Sequence, residues 1–182
     1  MKNIRYTLAV AAAAALALPG TASAGIYTKP TKPSTGKVII LDPLSFIKVD
    51  DLDFGAYVIP PAGSGTVTIN PIDSGLTLSG TITPLPQFTP QRGRMIGSGS
   101  AGQDVQLNAV IPDKLYIDGD TSNPSIDVTV DLDHVPDSGG IYYYTINSSK
   151  VFNVYLGGQL TIATGQEPGI YSNTYTITAT YQ

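Results

Sequence analysis

In run after run of this sequence an apolar residue is followed by a polar one and then by another apolar one. That spacing places the apolar side chains on one face of an extended strand and the polar ones on the other. Val67 and Ile69 share a face in GTVTIN, and Leu76, Leu78 and Ile82 share one in LTLSGTIT. Val105, Leu107, Ala109 and Ile111 do the same in DVQLNAVI. Ile126, Val128, Val130 and Leu132 alternate with Asp127, Thr129 and Asp131, which predicts one buried and one wet face. Val38–Val49 is a further run in which Pro43 requires an edge, a bulge or a break. Another is Val151–Leu156 with Leu160–Ile162 around Gly157-Gly158, and the last extends from Tyr171 to Tyr181.

Helical periodicity is missing, and the only Glu in the chain is Glu167. Crossover helices are therefore absent, which excludes a parallel doubly wound sheet. Short strands separated by Pro, Gly, Asp and Asn clusters predict an all-β domain, an immunoglobulin-like β-sandwich.

The chain start reads as an export signal: Lys2 and Arg5, the apolar run Thr7–Leu18, then Ala22-Ser23-Ala24 before the expected cleavage. That run is far shorter than the roughly 20 residues a membrane span needs, so no anchor is expected once the signal is removed. Loss of residues 1–24 leaves 158 residues (182 − 24) with a net charge of 8 − 14 = −6. Gly25–Gly36, GIYTKPTKPSTG, reads as a flexible arm ahead of a single β-sandwich domain over 37–182.

Composition removes several function classes. With no Cys there is no disulfide framework, thiolate metal site or cysteine nucleophile, and one His cannot build a multi-histidine centre. An acidic balance, 10 Lys plus Arg against 14 Asp plus Glu, argues against a nucleic-acid surface. No cofactor is expected.

Four local features carry possible chemistry. Gly97, Gly99 and Gly102 in GSGSAG match the letters of a dinucleotide fingerprint, but a strand follows instead of the helix that would hold a phosphate, so a turn is expected. Asp118, Asp120, Asn123, Asp127, Asp131, Asp133 and Asp137 concentrate oxygen ligands suited to calcium. Counted from Asp118, however, the sixth and twelfth loop positions are Asn123 and Thr129, where the calcium loop needs Gly and Glu. His134 beside Asp133 has the elements of a general base, with no nucleophile singled out. Tyr142-Tyr143-Tyr144 could offer an aromatic sugar platform, although strand alternation sends adjacent tyrosines to opposite faces. A carbohydrate- or calcium-binding module is accordingly the alternative function, with a secreted hydrolase behind it.

The terminal run keeps its alternation to the end of the chain, where strands usually fray, so it must pair with its own sheet or with an added strand. Leu52-Asp53-Phe54-Gly55, Gly65–Ile69, Gly157–Ile162 and Gln166–Tyr171, followed by Tyr181, occur here in order. With these motifs the chain resembles the DUF4402 family over roughly Val38–Gln182, and more distantly the spore-coat-U and archaic chaperone–usher pilins. The resemblance implies an incomplete pilin-type sandwich completed by a donor strand. It implies as partners a periplasmic PapD-like chaperone, an outer-membrane usher, and copies of the same or related subunits. It implies transit through the periplasm to the cell surface or an extracellular fibre, with a role in adhesion. Tyr171, Tyr175, Ile177, Ala179 and Tyr181 then form the interaction edge, and Val38, Ile40 and Leu44 the candidate donor strand.

Overall fold

The computed structural model describes residues 35–182, within which Ile39–Gln182 form one compact unit. The expected export signal, its expected cleavage after Ala24, and all but the last two residues of the expected arm lie outside the described residues. Among the described residues every regular element is a strand and every pairing is antiparallel. The protein is an all-β sandwich.

Strands are numbered along the chain. The larger sheet holds β1 (Ser45–Asp50), β3 (Ser64–Ile69), β4 (Leu76–Gly80), β6 (Gly93–Ser98), β8 (Lys114–Ile117), β9 (Ser125–Leu132), β11 (Val151–Ala163) and β12 (Tyr171–Ser172). The smaller sheet has the order β10-β7-β13, with β7 at Asp104–Val110, β10 at Ile141–Thr145 and β13 at Thr176–Tyr181. A short ribbon pairs β2 (Tyr57–Val58) with β5 (Thr83–Pro84).

β11 organises the larger sheet. Its first half, Val151–Leu156, pairs with β6 and its second, Gly158–Ala163, with β3, while β9 covers Leu156–Leu160 from the opposite edge. Gly157 and Gly158 thus do not interrupt the strand. They lie inside it because a Cβ on Gly157 would strike the Ile69 carbonyl and Pro71, and one on Gly158 the Thr129 carbonyl. These glycines mark close backbone approach rather than a turn.

Most of the alternating runs bury the faces expected of them; in β4, however, Leu76 is 45% exposed and only Leu78, with Ile82 beyond it, packs on the core. Met95, Val105, Leu107, Leu132, Tyr144, Ile146, Phe152, Val154 and Leu156 form one core cluster. Val67, Ile69, Ile126, Val128, Leu160 and Phe54 form a second, while Asp127, Thr129 and Asp131 face solvent. Each fully buried Val, Leu or Ile contributes about 1.5–3 kcal/mol, and with no cysteine in the chain this burial holds the layers together.

Two runs depart from their expected extents. Val38–Val49 breaks at Pro43: only Ser45–Asp50 is strand, its register slips between Lys48 and Asp50, and Leu44 packs on the core. The terminal run divides in two. Tyr171 pairs with Ile117 in the larger sheet, whereas Thr176–Tyr181 pair with β7 in the smaller. The crossing is fixed by Asn173, whose side chain accepts from the Thr174 amide and donates to the Lys114 carbonyl, both at 2.8 Å.

Candidate functional site: an open seam between two strand edges

Among the described residues β13 is hydrogen-bonded along one side only, from Thr176 opposite Val110 to Tyr181 opposite Val105. Among them β1 is likewise bonded only to β6, and no backbone ladder joins β1 to β13. Within the described residues each strand therefore presents an unpaired row of N–H and C=O groups.

Side chains, not a backbone ladder, bridge the seam at one end, and a tyrosine ring flanks it at the other. At one end the Tyr181 hydroxyl donates to the Asp42 carbonyl at 2.8 Å and accepts from the Ser100 amide at 2.8 Å. Asp42 in turn donates its amide to Ser100 Oγ at 2.6 Å, and its carboxylate pairs with Lys150 Nζ at 2.9 Å. At the other end the buried Tyr175 hydroxyl lies beside Asp51 and Leu52. Burial, with the Asp51 carboxylate nearby, pushes that phenol above its ordinary range.

Between these ends the core is only partly closed. Tyr175, Ile177, Ala179 and Tyr181 all face the first core cluster yet remain half-buried, as do Leu44 and Phe46, whereas Val105 and Leu107 on the adjacent strand are fully buried. Thr176, Thr178 and Thr180 face outward.

Of the sequence-predicted edge, the structure brings Tyr175, Ile177, Ala179 and Tyr181 together. Tyr171 is a correction: it sits in the other sheet and packs against the second core cluster, because the chain changes layer at Asn173. Of the candidate donor residues, Val38 and Ile40 are 80% and 88% exposed, while Leu44 is engaged by its own domain. Asp42, Ser100, Lys150 and Phe46 were not singled out from sequence. No local motif could have linked Asp42 to Ser100, 58 residues away.

The remaining candidates resolve into structure. Gly97 lies in β6, and Gly99 and Gly102 in the turn to β7, with Gly102 at φ +74°. Gly99 leaves room for the Tyr181 hydroxyl, which a Cβ would strike. Asp118 and Gly119 form a turn with positive φ, and Asp120 accepts from the Ser122 amide and hydroxyl, which hold its carboxyl below the ordinary range. Among the described residues no three His, Cys, Asp or Glu side chains converge as metal ligands. His134 Nδ1 stands 3.5 Å from Asp133 Oδ1, but the same oxygen accepts from the Tyr144 hydroxyl at 2.6 Å and the Tyr155 amide at 3.1 Å. That carboxylate therefore ties three strands together. Tyr142 and Tyr144 turn inward and Tyr143 outward, so the three form no single platform.

Among the described residues no helix is long and apolar enough to cross a membrane. A family described as a domain of unknown function (DUF4402) matches residues 44–181, well over half of the chain. No curated protein and no solved structure matches it.

Proposed function

The chain belongs to the DUF4402 family, and from that premise we propose that it is a secreted, non-enzymatic structural subunit of a fimbria-like surface fibre, assembled by β-strand addition. The observation that carries this reading is the open seam: two strands whose edges are free among the described residues, bridged by the Tyr181 hydroxyl at one end and flanked by Tyr175 at the other, over a half-covered core. A strand entering beside β13 would satisfy its free backbone groups. Its alternate side chains would cover Ile177, Ala179, Phe46 and the tyrosine rings, setting the register. In this reading the sandwich is immunoglobulin-like and lacks one strand. A periplasmic chaperone covers the seam during transit, an usher exchanges that cover for the next subunit, and the fibre serves adhesion at the cell surface. The exposed run around Val38 and Ile40, ahead of β1, is the segment available for donation.

The test compares residues 25–182 with residues 42–182 by size exclusion with light scattering over a range of concentration and temperature. Heat-resistant oligomers of the longer chain, absent from a shorter chain that remains folded, are expected. A stable monomer in both overturns the reading.

A further inference from the structure

We infer that the Tyr181–Ser100–Asp42 clasp prevents the subunit from filling its own seam, and so reserves the seam for a second copy of this chain. The inference rests on the strand-addition reading above.

A chain whose donor segment directly precedes its own first strand faces a competition. The segment can fold back as a hairpin beside β1 or remain free for a neighbour, and the intramolecular route has the advantage of effective concentration. Folding back requires a reversal between Leu41 and Leu44, with Asp42 and Pro43 as the central pair of the turn. Each feature of that pair opposes it. Tight hairpin turns use positive φ at their central positions, whereas proline is fixed near −65° and is disfavoured at the second of them. Proline also confines Asp42 to extended backbone.

The clasp adds to this bar. Both backbone polar groups of Asp42 are already committed, its amide to Ser100 Oγ and its carbonyl to the Tyr181 hydroxyl, and its carboxylate is paired with Lys150. Ser100 is held in turn by its own amide, which donates to the same Tyr181 oxygen. Turning the chain here would break all of these contacts together. A wider reversal would consume Ile39–Leu41, the apolar residues a donated strand has to offer. Tyr181 is thus a positioning residue: it acts through Asp42 on the segment that precedes it.

The absence of native cysteine allows an unambiguous test. Ile40→Cys and Ala179→Cys are introduced into residues 25–182, alone and combined with Tyr181→Phe plus Ser100→Ala, or with Pro43→Gly. After oxidation, the cross-link is read as a single-chain or multi-chain product, and thermal melts confirm that each variant is folded. The parent is expected to link between chains. Clasp or Pro43 variants are expected to shift the ratio toward the single-chain product by about tenfold, the change that loss of one or two hydrogen bonds brings. Multi-chain product in undiminished proportion from folded variants overturns the inference while leaving strand addition standing. A parent that stays monomeric and forms no multi-chain product overturns strand addition itself.

Discussion

Phe46 and Phe152 stack across Gly97, with ring centroids 5.8 Å apart and planes 11° from parallel. Gly97 is the register partner of both, on β6 between β1 and β11. A Cβ at Gly97 would enter the volume of the Phe152 ring. Gly97→Ala should therefore destabilise by about 1–3 kcal/mol, the usual penalty of overpacking. Urea unfolding would show it as a lower midpoint. An unchanged midpoint would mean that the two rings are free to move apart.

Asp133 is the second point of leverage, because its side chain is only 13% exposed and its Oδ1 serves both Tyr144 and Tyr155. Asp133→Ala leaves the buried Tyr144 hydroxyl without its partner, at about 1–3 kcal/mol. Tyr144→Phe removes that hydroxyl and should cost less. In the double variant, adding Asp133→Ala to Tyr144→Phe should cost less than Asp133→Ala alone. Simple additivity in chemical denaturation would count against the coupling.

Acid should loosen the turn between β9 and β10. The Ile141 amide, with those of Gly139 and the Tyr143 hydroxyl, holds the Asp137 carboxyl below its ordinary range. A lowered folded value means that the contribution is present above the ordinary carboxylate range, near pH 4, and is lost as pH falls through the lowered value. Hydrogen exchange at the Gly139 and Ile141 amides, corrected for intrinsic pH dependence, should lose protection across that window. Asp137→Asn should already lack part of the protection at neutral pH.

Alkali acts through Tyr144, whose phenol is pushed far above its ordinary range by burial, and then by the Asp133 hydrogen bond and charge. The folded state then retains a proton that the unfolded chain releases near pH 10, so this contribution is full below that pH and declines above it. Tyr144→Phe should flatten the fall of stability between about pH 10 and 11.5. An equal slope in parent and variant would contradict the assignment.

Strand faces were legible from the sequence wherever alternation was strict. Val105 and Leu107, and Ile126, Val128 and Leu132, are buried as their spacing requires. Pro43 marked a real break for a stated reason, its missing amide and fixed φ. The paired glycines were harder to read. Gly157-Gly158 has the letters of a turn, and only the approach of Ile69 and Thr129 from either side shows why a long strand needs glycine there. The terminal run misled in a similar way. Its period of two continues past Asn173, but the chain changes sheets at that residue through a side-chain bond to Lys114, 59 positions earlier.

The sequence by itself determined an all-β chain with a buried and a wet face on each main strand, because side-chain direction along an extended backbone is a local, two-residue property. Tertiary structure alone decided which edges stay unpaired and which residues bridge them. Tyr181 meets Asp42 across 139 positions of chain. Pairing and register at that range depend on how both sheets close over a shared core, which no local pattern encodes.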